Sequence, residues 1–336
     1  MAPRKLRTPP YCAWYCFVSL VLAIVGAGLY KRDFAGGKTP DAQTHRNETR
    51  TAGRRLRAAF TTTTTPVDPD GIQVDDDDDT RDRVCFPAVR HGGLRPERVG
   101  QIVDGTSFAA ALTALARSRE VRRVLELGTW YGGGSTQSLA RGLMSAAPAD
   151  NCIAKGNERC CRDLVITVEV FEPAWLHARR YLHDLPVWCV RGSTVTPDEM
   201  LSPDEVPPSE RGAHFNLYYE RDLALMRKSK PQLRRLCAKV AFDLVLIDGN
   251  EYTGWGEFER VRDECRPRYV ALHDTGTLKT AKVEAYLETH TDEYRLLLRK
   301  GETDASPACD LVGCLPEALF APNEAGWAIY QRSDYS

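Results

Sequence analysis

From Val121 onward, short apolar runs alternate with segments whose apolar residues recur at helical spacing. The runs VRRVLELG (121–128), DLVITVEVF (163–171), VWCVRGS (187–193), FDLVLIDG (242–249) and RYVALHD (268–274) predict strands buried on both faces. Helical periodicity covers 98–119, 135–144, 173–185, 256–265 and 279–290. Two further strands, 294–301 and 326–332, follow one another without a crossover helix, which predicts an antiparallel hairpin at one edge. The expected fold is α/β, a doubly wound, mostly parallel seven-stranded sheet with a C-terminal antiparallel hairpin. Two insertions break the rhythm. Residues 194–241 run from a Pro- and acid-rich part into a helical stretch, 218–240, and residues 302–325 carry Cys309 and Cys314 at a spacing that suits a local disulfide.

The pattern before residue 83 differs. Residues 11–30, YCAWYCFVSLVLAIVGAGLY, contain no charge. At about 1.5 Å per residue they span roughly 30 Å, one bilayer core. Arg4, Lys5 and Arg7 precede this stretch, which predicts a cytosolic tail (1–10), a transmembrane signal anchor (11–30) and a luminal body. The rival reading is a cleaved signal peptide, with small residues Gly26, Ala27 and Gly28 near a cut site. Residues 31–82, with Thr61–Thr65 and Asp75–Asp79, hold too few large apolar side chains to offset their ordering entropy and read as a disordered stem. Asn47-Glu48-Thr49 is the one glycosylation sequon. This layout predicts a single-pass type II membrane protein of the Golgi or endoplasmic reticulum. Its partners are the membrane, through the anchor, and a small-molecule or glycan acceptor.

Composition adds two constraints. The net charge of −1 carries no basic excess, so nucleic acid is not the expected partner. Eleven cysteines fit a secretory lumen, where disulfides persist. Cys12 and Cys16 lie in the apolar segment, leaving an odd number in the body and hence at least one free or intermolecular thiol.

The candidate chemistry starts at VLELGTWYGGGST (124–136). Glycines 128, 132, 133 and 134 allow close approach of backbone to a ligand, and the helix that follows offers free N–H donors. No lysine completes a P-loop, and the glycine spacing is not that of a dinucleotide fingerprint. What remains, hydrophobic-Glu-x-Gly-x3-Gly, resembles the first motif of class I S-adenosylmethionine-dependent methyltransferases. VITVE (165–169) resembles the second-strand pattern of catechol O-methyltransferase-like enzymes. "LIDG" (246–249) and "HDT" (273–275) resemble later motifs of the O-methyltransferase branch. The combination, over roughly 98–332, looks like the methyltransferase family 24, cephalosporin hydroxylase-like and rhamnosyl O-methyltransferase group. The usual histidine after "IDGD" is replaced here by Asn250-Glu251, and the loop has an extra glycine.

The resemblance implies a Rossmann-like methyltransferase fold for 83–336 and S-adenosylmethionine as cofactor. Glu126 would lie near the cofactor's amino-acid end, with Gly128, Thr129, Gly132 and Ser135 along the turn. Glu169, preferred over Glu172, would hold the ribose hydroxyls, Gly192 and Ser193 the adenine. Asp248 and Asp274 end adjacent strands and, with His273, are the candidate catalytic groups and the candidate ligands for Mg²⁺ or Mn²⁺. His273 is alternatively the general base. Tyr252, Trp255 and Phe258 either line an acceptor pocket or pack the core. Lys279 and Lys282, after the fifth strand, either meet an acidic acceptor or, the preferred reading, are solvated helix charges. The function expected is an O-methyltransferase acting on a hydroxyl. The alternatives are a Golgi-type glycosyltransferase using a nucleotide sugar, or a non-catalytic cofactor-binding domain.

Overall fold

The computed structural model describes residues 73–74, 84–85, 100–146, 160–300 and 324–335. The chain divides into two units, Met1–Thr63 and Thr64–Ser336, and all described residues belong to the second. The expected anchor, the sequon, the acidic run and the Cys309/Cys314 pair lie outside the described residues. Among the described residues no helix is long and apolar enough to cross a membrane.

Seven strands form one sheet. They are β1 (Arg123–Leu127), β2 (Leu164–Glu169), β3 (Val187–Arg191), β4 (Leu244–Ile247), β5 (Tyr269–His273), β6 (Tyr294–Arg299) and β7 (Trp327–Arg332). Their order is β3-β2-β1-β4-β5-β7-β6. β1 pairs in parallel with both β2 and β4, β2 with β3, and β4 with β5. β7 runs antiparallel to both β5 and β6. The expected hairpin is therefore present, with β7 inserted beside β5 and β6 at the edge. Strand order reverses between β1 and β4, and in such sheets ligands usually bind in the crevice beyond the carboxyl ends at that point. Three two-residue strands form a separate antiparallel ladder, in which Val84–Cys85 pairs with both Gln73–Val74 and Cys160–Cys161.

The helices are α1 (Ser107–Arg117), α2 (Ser135–Ala146), α3 (Glu172–Tyr181), α4 (Ala213–Arg227), α5 (Leu233–Lys239), α6 (Gly254–Arg260) and α7 (Ala281–Thr289). β1, β2, β4 and β5 are buried almost throughout, as continuous apolar runs require. One core gathers Leu127, Val168, Ile247, Leu272 and Phe258; the other gathers Phe108, Leu112, Leu139, Leu246 and Trp327. Leu127 and Ile247 thus fall on one face, Leu246 on the other, by the strand's period of two.

Two expected helices are corrected. The helix expected from 98 starts only at Ser107, because Gly100 and Gly105 adopt φ of +137° and +93°. Thr106 then caps it, its hydroxyl accepting from the Ala109 N–H. The helical stretch 218–240 is two helices, interrupted around Pro231, which lacks an N–H and disfavours helix in the residue before it. Cys237 on α5 and Cys265, at the end of the π turn that extends α6, form a disulfide. Cys189 is a buried free thiol.

Candidate active site

The residue at each strand's carboxyl end decides the crevice. The β1–β2 register sets Glu126 opposite Thr167, so both side chains leave the sheet on the same face. Glu126 is fully buried. Its Oε2 accepts from the hydroxyls of Thr167 (2.6 Å) and Thr136 (2.5 Å), the latter in the first turn of α2. Its Oε1 is buried without a hydrogen-bond partner. Burial pushes the carboxyl from 4.5 up to about 7; the hydroxyls of Ser135, Thr136 and Thr167 restrain the rise, and Asp248 adds to it. Thr129 contributes a hydroxyl 2.5 Å from that of Thr167.

The turn that follows has a steric reason for its glycines. Gly128 adopts φ +97°, and a Cβ there would stand 2.1 Å from the carbonyl oxygen of Asp248. The turn after β1 is thus pressed against the turn after β4. Gly132 adopts φ +82°, and a Cβ there would stand 2.7 Å from the Leu182 side chain and 3.2 Å from that of Ala178. Trp130 takes φ +52° and leaves its ring half exposed, edge-on to Tyr131.

Glu169 ends β2 and folds back under the same turn. Its oxygens accept from the backbone N–H groups of Trp130 (2.8 Å) and Phe171 (2.7 Å). Burial raises it from 4.5 to about 7 against those hydrogen bonds. Glu172 is occupied elsewhere, in a two-point pair with Arg191 at 2.9 Å each. Of the two carboxylates weighed from sequence, Glu169 is the one at the turn. Gly192 and Ser193 end β3 at the expected level, but both are buried and packed against 230–232. A Cβ on Gly192 would meet the Lys230 carbonyl at 2.5 Å, and Ser193 accepts at its carbonyl from the Gln232 N–H.

Asp248, His273 and Asp274 are brought together as expected, with one ligating atom of each within 4.8 Å of the others. The histidine Nδ1 donates to Asp248 Oδ1 at 2.9 Å and lies 3.4 Å from Asp274 Oδ2. Phe108 stacks on its ring. Burial opposes a charge on His273, but the two aspartates outweigh it and hold its pKa up to about 9. With its Nδ1 turned to the two aspartates, His273 sits here as their hydrogen-bond donor. Asp274 holds its position through a left-handed backbone, φ +58°.

Sequence reasoning missed Lys279. It is not a solvated helix charge. It is buried, and its Nζ donates to Asp274 Oδ2 at 2.7 Å and Asp248 Oδ1 at 3.0 Å. Burial would drive the proton off, yet the two carboxylates keep the ammonium charged. Against their own burial, both aspartates stay below the ordinary carboxylate range, Asp248 chiefly through Lys279 and Asp274 through its hydrogen bond to His273 and the charge of Lys279. The four groups sum to zero charge at neutral pH. One oxygen of each aspartate, Asp248 Oδ1 and Asp274 Oδ2, is bound to the ammonium, which bridges the carboxylates as a divalent ion would. The one available signal was a lysine five residues after a strand-end aspartate.

Tyr252, Trp255 and Phe258 are core packing. Tyr252 meets Phe215 and Tyr219, and Phe258 meets Trp255, Tyr286 and Tyr294. Lys282 pairs with Glu205 at the surface.

No family model and no curated protein matches the chain. Solved structures resemble it at low identity. An O-methyltransferase from Bacillus cereus in complex with SAH is 14% identical over 71% of this chain and 84% of that one, with a TM-score of 0.36. The O-methyltransferase TomG from Streptomyces achromogenes is 16% identical over 67% and 79%, TM-score 0.36. A methyltransferase from Geobacter sulfurreducens is 14% identical over 69% and 81%, TM-score 0.39.

Proposed function

We propose that the chain is an S-adenosylmethionine-dependent methyltransferase acting on a hydroxyl of a glycan or small molecule. One observation carries the reading: a glycine turn at the switch point lies between two buried carboxylates, Glu126 and Glu169, on neighbouring strands. Carboxylates in that place suit a cationic ligand bearing a ribose, and they repel the diphosphate of a dinucleotide or nucleotide sugar. The unpartnered Oε1 of Glu126 is an open acceptor for an ammonium or for a water that bridges to one. Glu169 would take the ribose hydroxyls on lone pairs its backbone partners leave unused.

When bound, S-adenosylmethionine would supply a methyl group in line to the acceptor oxygen, the new C–O bond replacing the C–S bond and a neutral thioether departing. The Asp248–Asp274 pair would orient the hydroxyl and take its proton late in that step. His273 holds Asp248 by its Nδ1–H. The luminal, membrane-anchored placement and the glycan class of acceptor rest on the apolar segment 11–30 and the stem, and the Cys237–Cys265 disulfide fits an oxidising compartment.

Calorimetric titration of the full-length chain with S-adenosylmethionine and with a nucleotide sugar tests the reading. Binding of the first alone is expected, weakened by Glu169→Ala by roughly 1–3 kcal/mol, the value of a charge-assisted hydrogen bond. Binding of the nucleotide sugar alone would replace this reading with the glycosyltransferase one.

A further inference from the structure

We infer that the Lys279 ammonium is a built-in cation standing where a divalent metal would otherwise bridge Asp248 and Asp274, so that the site takes up no divalent ion. This deepens the methyl-transfer reading and rests on it only for what the site is used for.

Four observations place the ammonium there. Lys279 Nζ makes both ion pairs within hydrogen-bonding distance, 3.0 Å to Asp248 and 2.7 Å to Asp274. Its side chain is 4% exposed, so these pairs are not loosely screened surface contacts. The position is enforced from the backbone. Residues 274–280 form a tight turn in which the Thr280 hydroxyl and the Thr277 hydroxyl both donate to the Asp274 carbonyl. The Lys279 carbonyl in turn lies where a Cβ on Gly254 would be, at 2.0 Å, so α6 backs the lysine directly. Finally, His273 donates to the same Asp248 oxygen as Lys279 does, and that oxygen faces two N–H donors.

The consequence is chemical. A divalent ion would have to displace a paired, buried ammonium and leave it without a carboxylate, which is costly. An ammonium offers three N–H donors, of which Asp248 and Asp274 use two. The third is the group suited to an acceptor oxygen as negative charge develops on it. Lys279 then acts as the electrostatic counterpart of a metal, with a fixed direction and no exchange with solvent. Its cationic character is what the test isolates.

Mn²⁺ binding to the full-length chain, followed by electron paramagnetic resonance without cofactor, is the direct measurement. The wild type is expected to hold no stoichiometric Mn²⁺, while Lys279→Ala gains one site at least about tenfold tighter. Adding Asp274→Asn to that variant removes the site again. A wild-type chain that binds one Mn²⁺, lost in Asp274→Asn, overturns the inference, as does a folded Lys279→Ala chain that gains no site. The wild-type arm stands even if Lys279→Ala does not fold. Because no cofactor enters these titrations, their failure is separate from a failure of S-adenosylmethionine to bind. With that cofactor, wild-type affinity is expected to be the same in a chelator and in Mg²⁺.

Discussion

Replacing Glu126 by glutamine tests the site through its electrostatics, before any ligand is known. The amide keeps a carbonyl oxygen for the Thr136 and Thr167 hydroxyls but has no proton to lose. In the wild type, burial raises Glu126 from 4.5 to about 7. A rise of that size amounts to about 3 kcal/mol against the ionised form. Its sign is fixed by linkage. Between these two values the folded chain keeps a proton that the unfolded chain has released, so this contribution is full below pH 4.5 and is lost as pH rises through about 7. The slope from one such group is about 1.4 kcal/mol per pH unit. Glu169, Asp222, Glu251 and Glu257 are also raised, and His273 contributes a further loss toward pH 9, but all of these act in both chains. The difference between wild type and Glu126→Gln therefore isolates one carboxyl. Urea unfolding from pH 5 to 8 should show the wild type losing about 3 kcal/mol more than the variant across the range. Equal slopes in the two chains would refute a buried Glu126 that holds its proton until a cationic ligand pairs with it.

Two further outcomes follow from the geometry. Gly128→Ala would put a Cβ 2.1 Å from the Asp248 carbonyl at φ +97°; backbone strain of about 1–2 kcal/mol adds to a contact that must force the β1 and β4 turns apart. Its thermal midpoint should fall and S-adenosylmethionine affinity should be lost together, and wild-type values for both would contradict the close approach. Reducing Cys237–Cys265, whose partners are 28 residues apart, should cost about 3–4 kcal/mol in urea unfolding. An unchanged midpoint in the Cys237→Ser, Cys265→Ser double variant would show that the link does not restrain the unfolded chain.

Much of the fold was legible because parallel strands covered on both faces must be apolar along their length. β2 and β4 were recognisable from LVITVE and LVLI alone, and the missing crossover before β7 predicted its reversed direction. Local chemistry was legible too: a glycine turn opening at a strand end narrows what can bind there, and Asp248 and Asp274 end adjacent strands. Side-chain partnership was not. Only their distances from Asp274 separate Lys279 from Lys282 in the sequence, yet one is sealed between two aspartates and the other meets Glu205 at the surface. Periodicity says which residues share a face of a helix. It does not say that the turn before α7 folds back on Asp274 and delivers the Lys279 side chain inward. His273 likewise has one identity in the sequence, and only its two carboxylate neighbours decide that it carries a proton. Along the chain, apolar pattern determines where strands and helices form, since burial is set residue by residue; the charge state and use of the polar groups depend on distances between segments, and those exist only once the sheet has closed.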